Sequence, residues 1–364
     1  MAGFRNITRP LLLPFSILYG LVVAIRNLLF DIGILPSTRF KLPVISIGNI
    51  TVGGTGKTPH VEYLIRLLKE DYKIAVLSRG YKRKTKDFML ASVRSDVADV
   101  GDEPLQLKLK FPDVHVAVEK NRVKGVKILT DSIHKLDTVI LDDAFQHRYI
   151  LPGLSILLVD YTRPIFNDIL LPAGNLREPR RNSKRADIII VTKCPGHLSP
   201  HERTLFISRL HPTAEQEVYF TRYVYGNPVA VFADKHGEAE SFPLKHFHKP
   251  GNAVMLVTGI ANPDPLKMFL EESVPVREEM AFPDHHNYDK DDFLRIKKSF
   301  KTIEAVNKFI LTTEKDAVRI RNAGLADKNL RKVFFYLPVE VKFLAKGEKP
   351  FIKQIYKYIK KSGH

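Results

Sequence analysis

The chain has 364 residues, 44% hydrophobic and 27% charged, which is enough for one large or two moderate folded domains and excludes a disordered or fibrous chain. Its formal net charge of +17 points to an anionic partner: a nucleic acid, a phosphorylated substrate or an acidic membrane surface. The single cysteine, Cys194, excludes an internal disulfide and a cysteine-based zinc cluster, and it fits a reducing cytoplasmic setting.

Residues 11–24 are almost wholly apolar, interrupted by Pro14, Ser16, Tyr19 and Gly20, with Arg5 and Arg9 before them and Arg26 after. The run is shorter than the about 20 residues a full crossing needs, and no small-residue cleavage site precedes Asp31. The expected element is an interfacial helix whose Leu, Ile and Phe side chains dip into a bilayer while its arginines meet anionic head groups. A buried core helix and a tilted span remain open. Residues 1–40 are accordingly set apart as a membrane-associated segment.

The apolar run Val44-Ile45-Ser46-Ile47 leads into Thr51-Val52-Gly53-Gly54-Thr55-Gly56-Lys57-Thr58, and Val61-Glu62-Tyr63-Leu64-Ile65 begins a helical pattern directly after. Strand, glycine-rich turn and helix in this order make a phosphate-binding loop. Glycines permit φ > 0 and turn backbone N–H groups inward, the helix N-terminus adds partial positive charge, Lys57 reaches the outer phosphates and Thr58 can hold Mg²⁺. Thr51 stands where the strict pattern has glycine.

Between residues 44 and 192, apolar β-branched runs alternate with helical stretches, as at Ile74-Ala75-Val76-Leu77, Val139-Ile140-Leu141 and Ile188-Ile189-Ile190-Val191. Such runs predict a mostly parallel sheet buried on both faces by helices, with ligands at the carboxyl ends of its strands. The expected fold is therefore α/β, a phosphate-loop NTPase-like core over 41–225. A linker follows at 226–250, including the Gly/Pro/His-containing stretch from His236, and a smaller α/β domain spans 251–364. In the closing helix Ile355 and Ile359 turn inward and the lysines of 353–361 face water.

Asp142-Asp143 closes one of these strands, where a carboxylate can bind Mg²⁺ beside Thr58, and Gln146 and His147 just beyond offer polar groups to a phosphate or sugar. Asp102 and Glu103 open a helical stretch after Gly101, as ordinary caps or, for Asp102, as the acceptor of a proton from an attacking hydroxyl. Arg79 heads a basic run with Lys82, Arg83 and Lys84, and Arg177 heads another. At the ligand edge of a sheet such arginines suit bidentate phosphate contacts. Asp284-His285-His286 reads locally as exposed loop histidines or, less well, as part of a metal site. RNA-binding aromatic signatures and zinc fingers are absent, so no nucleic-acid partner is expected. A nucleotide switch or metal-insertion GTPase-like protein is the rival reading, but Thr192-Lys193-Cys194-Pro195 lacks the aspartate that reads guanine.

Taken together, the sequence resembles the tetraacyldisaccharide 4′-kinase family of lipid A biosynthesis. The resemblance is carried by the apolar N-terminus, Gly48-Asn49 before the phosphate loop, Ser78-Arg79-Gly80-Tyr81, Gly101-Asp102-Glu103-Pro104, Asp142-Asp143 with Phe145-Gln146-His147, Leu171-Pro172-Ala173-Gly174, Arg177-Glu178-Pro179, Asp284-His285-His286 and Thr313-Glu314-Lys315-Asp316-Ala317. Ala144 stands where that family usually has glycine. The resemblance implies a lipid kinase using ATP and Mg²⁺ on a membrane-held acyl-disaccharide 1-phosphate, at the cytoplasmic face of the bacterial inner membrane, as a monotopic or peripheral protein with no obligate protein partner. It implies Asp102, His285 and Lys57 as catalytic groups, His285 rather than His286 supporting Asp102. Thr58, Asp142, Asp143 and Glu103 are then expected about the metal, and Arg79, Gln146, His147 and Arg177 about the acceptor.

Overall fold

The computed structural model describes residues 2–81, 83–232, 239–272 and 274–362, without the side chains of residues 2–8. Lys82, the Arg5 side chain and His236, where the glycine- and proline-containing part of the expected linker begins, lie outside the described residues.

The chain opens with α1 (Ala2–Asp31) and then alternates: β1 (Val44–Gly48), α2 (Lys57–Leu68), β2 (Ile74–Ser78), β3 (Met89–Leu90), α3 (Val97–Val100), α4 (Asp102–Lys110), β4 (His115–Val118), α5 (Arg122–Ser132), β5 (Thr138–Asp142), β6 (Leu154–Asp160), β7 (Ile188–Thr192), α6 (Pro200–Leu210) and β8 (Glu217–Tyr225). The second half holds β9 (Val229–Ala230), β10 (Asn252–Thr258), α7 (Asp264–Glu271), β11 (Val276–Ala281), α8 (Lys290–Thr302), β12 (Asn307–Thr313), α9 (Glu314–Ala323), α10 (Lys328–Val333), β13 (Phe334–Leu337), β14 (Val339–Phe343) and α11 (Glu348–Ser362).

Two sheets result. The larger has nine strands in the order β14-β8-β7-β6-β1-β5-β2-β4-β3, parallel from β8 to β4, with antiparallel edge strands β14 and β3. The smaller runs β11-β10-β12-β13-β9, parallel except for β9. The α/β architecture with helices on both faces is as expected: Leu64, Ile65 and Phe351 pack on one face of the large sheet, Val126 and Leu129 on the other. Sequence signals set many helix ends, such as the capping boxes Ser199/Glu202 of α6 and Asp289/Asp292 of α8.

The expected partition departs from this topology at two places. Val229–Ala230, assigned to the linker, is an edge strand of the small sheet, paired with Tyr336 and Phe335. Residues 339–362, assigned to the second domain, return to the first. β14 pairs with β8, and Phe351, Ile355 and Ile359 of α11 pack into the core of the large sheet. Alternating Val339, Val341 and Phe343 mark an edge strand, but nothing local reveals which sheet it joins.

α1 is a 30-residue helix, longer than the apolar run suggested, and Arg9–Asp31 is long and apolar enough to cross a membrane by composition alone. Its amphipathicity is inverted. The polar side chains face the protein: Ser16 Oγ donates to Leu170 O (3.0 Å), Tyr19 OH to Arg177 O (2.8 Å) and Asn27 Nδ2 to a buried Glu178 oxygen (3.4 Å). The apolar ones face out, with Leu11 75%, Phe15 62% and Ile17 74% exposed. That exposure excludes the buried-core-helix alternative. Docking from Ser16 to Asp31 fastens about 22 Å of helix side-on to the globular body, at 1.5 Å per residue. Arg26 is turned away from the expected head groups, donating to Gln146 O (3.1 Å) and lying over the Phe30 ring, and Arg9 lies 3.8 Å from Asp168.

Candidate active site

Parallel pairing brings the chemistry to one edge. β1 lies between β5 and β6, and Ile47 is the register partner of Asp142, so the phosphate loop and the paired aspartates leave adjacent strands side by side. Gly53 at φ 92° and Gly56 at φ 90° take left-handed conformations that side chains rarely adopt. A Cβ on Gly56 would stand 2.2 Å from Tyr223 OH, so the turn has no room for one. The first turn of α2 has no side-chain cap and no acidic residue, leaving its N–H donors to an incoming anion. Loop shape is held from outside: Asn49 Nδ2 donates to Thr55 Oγ1 (2.8 Å), Val52 N to Asn175 O (2.8 Å), and Lys193 bridges Gly54 O and Asp160.

Lys57 Nζ lies 3.6 Å from Asp143 Oδ1, and Arg177 Nη1 approaches Asp143 Oδ2 at 3.5 Å. Burial alone would raise the Asp143 pKa, but Lys57, Arg177 and Arg122 outweigh it and hold the carboxyl below its usual range. Asp142 goes the other way. Burial first, then the charges of Glu103 and Asp143, push it up to about 7 despite the hydrogen bond from Ser78 Oγ (3.0 Å). Among the described residues, Asp142 Oδ1 and Asp143 Oδ1 are buried with no hydrogen-bond partner. Crowded negative charge and orphaned oxygens beside Lys57 fit a divalent cation. Among the described residues no three His, Cys, Asp or Glu side chains could cage one alone, which suits Mg²⁺, an ion that takes one or two carboxylates and completes its shell with phosphate and water.

Asp102 opens α4 on the large-sheet body, and His285 belongs to the loop between β11 and α8 of the other unit. The fold brings them to 2.8 Å, His285 Nδ1 to Asp102 Oδ2, although 183 residues separate them. His286 is engaged elsewhere: its Nε2 lies 2.6 Å from Asp292 Oδ2, and its ring stacks on Phe282. Burial would raise the Asp102 pKa, but His285, Arg319 and Lys315 hold it far below the usual carboxylate range. Glu103 pairs with Lys315, and its charge is felt at Asp142. Asp143, Lys193 and His285 hold φ between 48° and 58°, a left-handed conformation uncommon for non-glycine residues that Lys135, His211, Ala345 and Lys346 also adopt elsewhere in the fold.

The residues expected about the acceptor are less uniform. Arg79, at the carboxyl end of β2, is exposed, and among the described residues no hydrogen bond or ion pair engages its guanidinium. Gln146 spends its amide on Asn49 O (2.5 Å), bracing the strand end. His147 lines a cavity of about 470 Å³ with Lys86, Lys120, Asn121 and Tyr149. Burial, then Arg122, Arg79 and Arg26, lower its pKa to about 4, which leaves the ring neutral. Arg177 joins α1 and the site, its carbonyl held by Tyr19 and its N–H by Ile50 O (2.7 Å).

Sequence reasoning missed four participants. Asp160 and Lys193 end the neighbouring strands β6 and β7 and brace the loop, a placement their strand-end positions could have signalled. Arg122, buried at the start of α5, donates to Asp142 O (3.0 Å). Arg319 binds Asp102 from 217 residues away, with no local sign.

The profile of the family described as tetraacyldisaccharide-1-P 4′-kinase matches residues 8–360. The chain belongs to this family. Among its relatives, the tetraacyldisaccharide 4′-kinase of Phocaeicola vulgatus is 47% identical, covering 96% of this chain and 95% of its own. That of Flavobacterium johnsoniae is 42% identical over 98% and 99%. The crystal structure of "apo" form LpxK from Aquifex aeolicus in complex with ATP superposes with a TM-score of 0.73 at 30% identity, covering 96% of this chain and 99% of that one. Membership sets aside the nucleotide-switch alternative.

Proposed function

We propose that the chain transfers the terminal phosphoryl group of ATP to the 4′-hydroxyl of a tetraacyldisaccharide 1-phosphate, giving a lipid IVA-type product. Family membership over nearly the whole chain carries this reading, and the sheet edge is suited to the chemistry. Lys57 and the N–H groups of 51–58 would bind the phosphates. Asp142, Asp143 and the Thr58 hydroxyl would hold Mg²⁺, with Glu103 adding charge nearby; when bound, the ion neutralises charge on the transferring group. Asp102 and His285 would take the proton as the acceptor oxygen bonds to phosphorus and the bond to ADP breaks. Arg79, His147 and Arg177, with Gln146 behind them, would meet the acceptor's sugar and phosphate. Incubation with ATP, Mg²⁺ and the disaccharide should release ADP only when the acceptor is present, with phosphate on the 4′-oxygen. Strong GTP selectivity with acceptor-independent turnover would overturn the reading.

We further propose that α1 lies in the surface of the cytoplasmic leaflet of the inner membrane without crossing it. Its inward polar seam is fastened to the body along its length, which supports a monotopic placement. Burying one exposed Leu, Ile or Phe contributes about 1.5–3 kcal/mol, and nine large apolar side chains from Leu11 to Leu28 are available, so apolar insertion outweighs the attraction of Arg9 and Arg26, both engaged by the protein. Replacing Leu11, Ile17, Leu18 and Leu21 by serine should move the protein to the soluble fraction and raise KM for the bilayer-held acceptor more than for ATP. Unchanged sedimentation with membranes would reject the placement.

A further inference from the structure

Thr313-Glu314-Lys315-Asp316-Ala317 is a motif that the proposed chemistry leaves without a task, and the helix it opens is aimed at Asp102. Thr313 caps α9, its hydroxyl donating to Asp316 Oδ2 (2.7 Å) and accepting from Asp316 N (3.1 Å). Asp316, wholly buried, also accepts from Gly259 N (2.9 Å) at the end of β10. One turn on, Arg319 is only 4% exposed. Its guanidinium is used on every side. Nη1 donates to Gly259 O (3.1 Å) and Asp316 Oδ1 (3.2 Å), Nε to Asp102 Oδ2 (3.1 Å), and Nη2 binds the same Asp102 oxygen while lying 3.0 Å from His285 Nδ1.

We propose that Arg319 is a positioning residue for phosphoryl transfer, a strut from the second unit that fixes the Asp102 carboxylate of α4 in line with His285. This rests on the kinase reading of the site. Asp102 and His285 come from different units, so their alignment needs something that spans both. Arg319 does so with a rigid planar fork anchored on its own unit by Asp316 and the Gly259 carbonyl. A lysine, as a single point donor, could hold the carboxylate but not the anchor at the same time. Stability alone does not call for the arrangement, since buried ion pairs can often be exchanged for apolar groups of similar volume at little cost.

The test compares wild type with Arg319→Lys, Arg319→Met, Asp102→Asn and the double variant Asp102→Asn/Arg319→Met, reading kcat, KM for ATP, KM for the acceptor and the thermal midpoint. Arg319→Met should lower kcat about 100-fold or more, the scale of a proton-transfer contribution, while leaving KM for ATP near wild type. Arg319→Lys should recover part of the loss. The double variant, which leaves neither Asp102 nor Arg319 as an unpaired charge while Asp316 keeps Gly259 N and Thr313 Oγ1 as donors, should lose no more than Asp102→Asn, because Arg319 acts through that carboxylate. Wild-type kcat in Arg319→Lys and Arg319→Met, or a double variant whose loss is the product of the two singles, would overturn the proposal. If wild type itself fails to phosphorylate the disaccharide, the kinase reading falls; normal turnover in the arginine variants would sink only the strut.

Discussion

Lys57→Ala should abolish acceptor phosphorylation while leaving the protein folded. Lys57 is the first residue of α2, its side chain 11% exposed, and its ammonium stands 3.6 Å from Asp143, where the outer phosphates would meet the aspartates. Phosphoryl transfer draws almost entirely on positioning and on charges fixed in advance. Removing one preorganised donor from such a transition state costs about 3–4 kcal/mol, a factor of several hundred or more, and here the donor carries a full charge. The substitution also takes from Asp143 the largest influence holding its pKa down, so the aspartate pair that would hold the cation is disturbed too. Single-turnover assays with ATP, Mg²⁺ and the disaccharide, alongside circular dichroism, measure both effects. Wild-type turnover in the folded variant would remove the phosphate loop from the mechanism.

The second large effect is expected at the pair that joins the two units. Asp102→Ala and His285→Ala should each lower kcat with little change in KM for ATP, and the double variant should lose less than the product of the two. The environment gives the reason. The ion pairs that keep Asp102 ionised also make its carboxylate a weak base, and the imidazole at 2.8 Å offers a group that can share or orient the proton. His286→Ala should be far milder for kcat, since that ring serves Asp292 and Phe282 within its own unit. Strictly multiplicative losses would argue against a dyad, and a larger defect at His286 would move the role to the other ring.

Much of this site was legible because its parts are local. A strand, a glycine turn and a helix announce a phosphate loop within about 25 residues, and an acidic pair at a strand end announces its neighbour once the sheet is known to be parallel. The fold class was legible for the same reason, the apolar runs being buried on both faces as their composition demands. What escaped depends on distance along the chain. Arg319 reads as one arginine among many until α9 is laid against α4. The bond from Gln146 Nε2 to Asn49 O, which braces a strand end, likewise has no local mark in the sequence. The N-terminal helix misled by its length, because Ser16, Tyr19 and Asn27 break the apolar run in sequence while falling on one face in space.

The return of β14 to the first sheet bears on how the molecule is made. A ribosome delivers the phosphate loop early, yet the outer edge of β8 stays open until residues 339–343 emerge, and Phe351, Ile355 and Ile359 of α11 arrive later still to cover the core beneath it. Everything between is an insertion whose ends meet, for Tyr225 and Val339 are cross-strand partners and Gly226 N bonds to Pro338 O at 2.9 Å. The nascent chain therefore carries an incomplete sheet and an uncovered apolar helix together until residues 339–362 have emerged to close that body.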